Sequence, residues 1–249
     1  MKKKLLILFA VLTAFLNRSA WAEIINVGLE PFPPLITKDG KGYSVDMLRA
    51  VEKISDLTFN ITVMPYNRAK HELKKGRVDL IGHTPHQLET KEFYTYAQEL
   101  EWGIIVPVDI YSMNEANLDP KIFRTLKRIG TPRGNEGFFS QLYGIPIKQF
   151  HTGTIESLLR MMKKGRSDLF LFERASTMSR IQKLGIKNVF YRQIDRIPAS
   201  FAVRKSEHGT ELKNKLDALI KKVDQERIFS GVTKYWSLPE SGVVPVPEK

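Results

Sequence analysis

One junction is written twice in this chain. "LKKGRVDLIG", ending at Gly82, is followed 89 positions later by "MKKGRSDLFL", ending at Leu171, and both read Lys-Lys-Gly-Arg-x-Asp-Leu into an apolar stretch. In the first copy, "NRAKHELKKG" is helix-forming, with Lys74 and Lys75 in the last turn and Gly76 just beyond. Cations suit the C-terminal end of the helix dipole, and glycine suits the left-handed residue after it. "VDLIGHT" then reads as a short buried strand. In the second copy, "TIESLLRMMKKG" carries Leu158, Leu159, Met161 and Met162 in its apolar portion, ends at Gly165, and leads into the strand "SDLFLFE". Each copy is thus the helix-to-strand return of a βαβ unit. "FNITVMP" (Phe59–Pro65) and "KQFHT" (Lys148–Thr152) are the strands that feed the two helices. Helices alternating with short apolar strands predict an α/β fold with mostly parallel sheets, and two such units predict two lobes.

The remaining segments fit that plan. Ile24–Leu29 is a strand followed by a Pro-rich loop with Phe32, and "YSVDMLRAVEKIS" is a helix with Ser44 or Asp46 near its N-terminus. "EWGIIVPVDIY" (Glu101–Tyr111) and "PASFAVRK" (Pro198–Lys205) are extended runs that flank the middle segment, as strands crossing between lobes would. "ELKNKLDALIKKVDQERIF" reads as one amphipathic helix, with Leu212, Leu216, Leu219, Ile220 and Val223 on one face.

The N-terminus is set apart from this fold. Lys2–Lys4, the uncharged Leu5–Leu16 and the ending Ala20-Trp21-Ala22 have the three-part pattern of a secretory signal peptide, with cleavage expected after Ala22. The apolar run is too short for a membrane span, which needs about 20 residues. The chain has no cysteine, so it folds without disulfides and has none to carry a lipid. A free periplasmic protein is expected. Without Lys2, Lys3, Lys4 and Arg18 the chain has 35 basic residues against 27 acidic, a net charge of +8. Those basic residues are scattered, so nucleic acid is not an expected partner.

In this order, "INVGLEPFPPLIT", "DGKGYSVDMLRAV", "ELKKGRVDLIG", "IGTPRGNEGFF", "LLRMMKKGRSDLFLFE", "ASFAVRKS" and "ERIFSGVTKYW" resemble the family 3 extracellular solute-binding proteins from about Ile24 to Trp236. The resemblance implies a two-lobed periplasmic-binding-protein fold of type II, joined by two hinge strands and closing on a small-molecule ligand. It implies residues 23–108 and 200–249 in lobe 1 and 109–199 in lobe 2. It also implies a monomer that delivers its solute to an inner-membrane ABC permease. Two other roles on this scaffold stay open: a periplasmic sensory or accessory receptor, and a cyclohexadienyl-dehydratase-like enzyme with Glu173 as general acid.

In open parallel sheets, ligands bind beyond the C-terminal ends of the strands, near helix N-termini. That rule selects four loops. "LEPFPPL" offers Phe32, which aligns with the aromatic residue that packs on the ligand in relatives, and Glu30. "MPYNRAKHE" offers Tyr66 and Arg68; an arginine at a helix start opposes the dipole, which suggests service to an anion. "IGHTPHQLETKEF" offers His83 and Thr84. His83 and His86 lack a third ligand, so neither a metal nor another cofactor is expected. Amino-acid receptors carry an arginine for the ligand α-carboxylate at a position that here falls on Thr90 or Lys91, and no arginine stands between Leu80 and Glu101. In lobe 2, "TPRGNEGFF" offers Arg133, Asn135 and Glu136. Glu173 stands where relatives place the aspartate that binds the ligand amine. Asp79 and Asp168 read as structural residues at strand starts. The cationic end of an amino-acid site is kept and the anionic end is rewritten, so the expected ligand is a small polar solute, amino-acid-like or amine-bearing, with an amine or another donor group.

Overall fold

The computed structural model describes residues 22–247, so the signal segment expected over residues 1–22 lies almost entirely outside the described residues. Two halves of the chain repeat one topology. In the first, β1 (Glu23–Leu29), α1 (Tyr43–Glu52), β2 (Leu57–Val63), α2 (Tyr66–Lys74) and β3 (Leu80–Pro85) follow one another. β1 lies between β2 and β3, parallel to both. A short helix, α3 (Phe93–Tyr96), then leads into the long strand β4 (Ala97–Ser112). The second half runs β5 (Ile129–Pro132), α4 (Glu136–Tyr143), β6 (Phe150–Gly153), α5 (Ile155–Lys163) and β7 (Leu169–Glu173), and here β5 lies between β6 and β7, parallel to both. After α6 (Arg174–Leu184) the chain returns through β8 (Phe190–Arg204), α7 (Glu207–Ile220), α8 (Gln225–Trp236) and β9 (Ser241–Val243).

The repeated junction is the return into the third strand of each half. Gly76 and Gly165 have φ of 69° and 68°. In both turns the glycine N–H and the following arginine N–H close back on the helix: Gly76 to Leu73, Arg77 to Glu72, Gly165 to Met162 and Arg166 to Met161. This is the Schellman arrangement, which satisfies the last helical carbonyls. The aspartates then tie each third strand to the first. Asp79 accepts from the Asn26 N–H at 2.9 Å, and Asp168 pairs with Arg128, just before β5. Nothing lies within 4 Å of where a Cβ on Gly165 would stand. Gly165→Ala is therefore expected to cost only the left-handed backbone strain, about 1–2 kcal/mol, read as a lower urea midpoint. An unchanged midpoint would mean that the turn relaxes out of that conformation.

β4 and β8 pair antiparallel from Ala97↔Arg204 to Ser112↔Phe190. One end of this pair joins β3 and the other joins β7, so the two strands cross between the halves as expected. β8 starts at Phe190 rather than Pro198. The polar run Arg192–Arg196 lies along an open face, where pairing with β4 needs only backbone groups. A bulge between Glu99 and Gly103 frees two N–H groups of β4. Asp217 accepts both, from Glu101 at 2.9 Å and Trp102 at 3.2 Å, which explains a carboxylate on the otherwise apolar face of α7.

One expectation changes. The C-terminal helix is two helices: the chain turns at Lys221–Val223, and Asp224 accepts from the Arg227 N–H to start α8. The C-terminal segment packs on the middle of the chain. β9 pairs with Phe190–Arg192 of β8, and Leu238 and Pro239 give their carbonyls to Arg174 and Tyr191. We propose a division with residues 23–103 and 199–236 in lobe 1, and 108–195 with 237–247 in lobe 2.

Candidate functional site

The lobes meet where their parallel strands end, and a small cavity of about 50 Å³ lies there. Lobe 1 contributes Glu30 and Phe32 after β1, Tyr66 at the start of α2, and His83 and Thr84 of β3. Lobe 2 contributes Asn135 ahead of α4, Phe138 on it, and Phe172 and Glu173 at the end of β7. The crossing strands β4 and β8 close the back with Val106 and Ile197. Among the described residues no lysine or arginine lines this cavity.

The lobes touch across it. Asn135 donates to Glu30 Oε1 at 2.7 Å, and Phe32 meets Phe172 edge-on at 5.1 Å between ring centroids. Gly134, with φ of 103°, approaches α2 so closely that a Cβ on it would stand 3.1 Å from the Asn67 nitrogen. This is a closed arrangement of the lobes.

Two carboxyls face each other's lobes with little solvent. Glu30 is 4 % exposed and Glu173 is 2 % exposed. Burial pushes Glu30 up to about 8, although the Asn135 hydrogen bond opposes the shift. Glu173 accepts from the Ala175 and Ser176 N–H groups at 2.8 and 2.7 Å, capping α6, and from Trp236 Nε1 at 3.1 Å. Burial still pushes it up to about 7. His83 pairs through Nε2 with Ser44 Oγ at 3.0 Å, and its buried Nδ1 has no partner. Burial holds this ring down to about 3, so it is neutral at physiological pH. An unpaired buried polar atom costs about 1–3 kcal/mol, and a polar ligand group in the cavity would relieve it.

The signs of these shifts oppose each other in the empty protein. The folded chain holds protons on Glu30 and Glu173 that the unfolded chain releases near the ordinary 4.5, so their contribution to stability is lost as pH rises from there through about 7 and 8. His83 acts the other way. Only the unfolded chain takes up its proton below 6.5, so stability falls as pH drops from there towards about 3. Unfolding midpoints measured across pH should therefore flatten on the alkaline side in a Glu30→Gln, Glu173→Gln double variant. Retention of the full alkaline decline would show that these carboxyls are not its source.

Phe32, Tyr66, His83, Thr84, Asn135 and Glu173 line this one cavity together with Glu30. Arg68 does not join them. Tyr66, Ala69 and Leu73 form the buried face of α2, and Arg68, two residues after Tyr66, falls on the far side of a 3.6-residue helix; it is exposed and lines neither cavity. Lys70, one turn after Tyr66, packs on the Tyr66 ring instead, though it too lines neither cavity. Its Nζ stands 4.4 Å over the Tyr66 ring and 3.4 Å from Glu89, which also accepts from the Tyr66 hydroxyl. Helical spacing from Tyr66 was the signal that would have found it. Glu136 turns back to accept from the Gly134 N–H at 2.7 Å, bracing the loop rather than facing the cavity. Lys91 is exposed and lines neither cavity. Ser44, expected as a helix cap, is buried inside α1 against His83, and the cap position is Gly42.

Arg133 lines a second, outer cavity of about 220 Å³ between the lobes. Glu30 forms part of both cavities. Prolines 31, 33, 65 and 132 give the outer one apolar walls, and Lys38, Arg180 and Glu156 add charge at its rim. Among the described residues no helix is long and apolar enough to cross a membrane.

The family model described as bacterial extracellular solute-binding proteins, family 3, matches residues 25–238. No curated protein matches the chain. Among similar solved structures is a histidine kinase sensor domain with similarity to periplasmic binding proteins, at 18 % identity and a TM-score of 0.67, covering 90 % of this chain and 98 % of that one. A substrate-binding protein of an ABC uptake transporter from Streptococcus pneumoniae, with bound histidine, aligns at 18 % identity and 0.68, covering 87 % and 93 %. The VFT2 domain of BvgS from Bordetella pertussis aligns at 13 % and 0.66, covering 90 % and 96 %. Each shares the two-lobed fold.

Proposed function

Because the chain belongs to the bacterial extracellular solute-binding proteins of family 3, we propose that it captures a small amine-bearing solute between its lobes and presents it to an ABC permease. The observation that carries this reading is the pair of buried carboxyls, Glu30 and Glu173, in a cavity lined by no lysine or arginine. A carboxylate buried without a cation is costly and takes up a proton instead. An ammonium group would pair with both acids, and the faces of Phe32, Tyr66 and Phe172 suit a cation. The same cavity serves an α-carboxylate poorly, since Arg68 and Lys91 point elsewhere. Closure of the lobes on the solute is the expected working motion.

Calorimetric titration with amines, polyamines, α-amino acids, dipeptides and organic acids tests this reading. An amine should bind, and its affinity should rise between pH 6 and 8.5. A cation needs the carboxyls ionised, so each protonated carboxyl costs up to about tenfold in affinity per pH unit below its pKa. Silence from every amine, or affinity independent of pH, would count against it. Similarity to sensor domains at nearly the same TM-score supports a second reading, in which the bound form signals to a membrane partner. Solute uptake by cells lacking the protein separates the two: uptake is lost only if it transports. The dehydratase reading has less support. Glu173 is protonatable near neutrality, but no arginine lines the inner cavity to hold substrate carboxylates. Turnover of prephenate would favour it.

A further inference from the structure

We propose that the outer cavity is an anion-binding half of the same site, so that the solute is dipolar, with its amine and an acidic group separated by a short chain. The proposal rests on the amine reading and deepens it. Three cations converge on this cavity from three elements: Lys38 from the loop after β1, Arg133 from the loop after β5, and Arg180 from α6. Among the described residues none of the three forms an ion pair, whereas other arginines of lobe 2 do, such as Arg128 with Asp168 and Arg174 with Asp109. The acid at the rim, Glu156, is paired with Arg160 at 2.9 Å. Lys38 stands on lobe 1, and Arg133 and Arg180 on lobe 2. Glu156 is close enough to feel the charges of Lys38 and Arg180, but three cations around one cavity still leave an excess of positive charge when Glu30 holds its proton, and an anion between them would be attracted.

Size points the same way. At about 50 Å³ the inner cavity holds an ammonium group and little more, since small-molecule sites usually span roughly 300–1,000 Å³. The rest of the solute must extend past Glu30, the residue the two cavities share, into the outer 220 Å³. The proline walls there fit a run of methylenes. An acid at the far end would then reach the guanidinium groups, whose fork matches a carboxylate. An α-amino acid with no second amine carries its ammonium and carboxylate on the same carbon and cannot place them in separate cavities. The class implied is an ω-amino acid or a similarly spaced dipolar molecule.

Calorimetric titration of the whole protein in 0.15 M salt at pH 8.5 tests this, using 4-aminobutyrate, 5-aminovalerate and 6-aminohexanoate, each against the n-alkylamine of the same chain length. For at least one length the ω-amino acid should bind at least tenfold tighter than its alkylamine. In an Arg133→Gln, Arg180→Gln variant, checked as folded by circular dichroism, that ratio should fall below twofold. Equal binding of amino acid and alkylamine at all three lengths would overturn the proposal while leaving the amine reading intact. So would a ratio that survives in the variant, or tighter binding of the α-amino acid norvaline. If no amine of any kind binds, both readings fall.

Discussion

Replacing Asp109 with alanine is expected to lower the unfolding free energy by about 3–5 kcal/mol. Asp109 on β4 and Arg174 at the start of α6 are both without solvent exposure. Arg174 donates through Nε to Asp109 Oδ2 at 2.8 Å and through a terminal nitrogen to Oδ1 at 3.0 Å. The Tyr111 hydroxyl also donates to this carboxylate at 2.9 Å, and the remaining arm of Arg174 reaches the Leu238 carbonyl at 2.8 Å. The geometry is two-pronged and saturated, so truncating Asp109 leaves a guanidinium buried without a counterion. A loss of that size is a large share of the 5–15 kcal/mol that holds a typical domain folded. The companion variant Asp109→Leu, Arg174→Met removes both charges, so it should lose far less, the residual cost coming from the stranded Leu238 carbonyl. Urea unfolding of the three proteins checks this. A loss below about 1 kcal/mol for Asp109→Ala would mean that water reaches Arg174. The pair also bears on the site, because Arg174 follows Glu173 in the chain and holds the end of β7 against β4.

Glu173→Gln should weaken amine binding by about 2–5 kcal/mol, which is about 30-fold to several thousand-fold. Glutamine is the informative replacement. It keeps one oxygen to accept from the first turn of α6, whereas alanine would also remove the cap, at a further cost of about 1 kcal/mol. What glutamine removes is the charge. The pH profile carries the confirmation. In the parent, affinity should climb with pH as Glu173 and Glu30, pushed up to about 7 and about 8, lose their protons. In Glu173→Gln the climb should shrink to the part due to Glu30. An affinity within threefold of the parent at pH 8.5 would show that Glu173 acts only as a helix cap, a role its hydrogen bonds to Ala175 and Ser176 already provide.

The architecture was legible because its determinants are local. A helix ends where Gly76 or Gly165 takes up a left-handed turn, and the next strand begins within a few residues. Those preferences act over about five positions of the chain, so two copies of one junction were enough to imply two equivalent lobes and to place loops at the strand ends. Hydrophobic period misled once, over residues 211–229, because the apolar face continues through the turn that separates α7 from α8. Polar composition concealed the first half of β8, which is held by backbone pairing.

Which polar side chains face the cleft was another matter. Phe32, His83 and Glu173 could be named because each lies beside a strand end, where the fold itself directs the chain. Arg68 and Lys70 are two residues apart on one helix, and only the burial of Tyr66, Ala69 and Leu73 decides which of them lies against the Tyr66 ring. Glu30 meets Asn135 across 105 positions of sequence, and Lys38, Arg133 and Arg180 gather from three elements on two lobes. Sequence alone determined the α/β halves and the ends of the strands, since hydrogen bonding and backbone conformation there depend on near neighbours. The charge pattern of the cleft, acidic within and basic at the mouth, was decided only by how the two lobes come together.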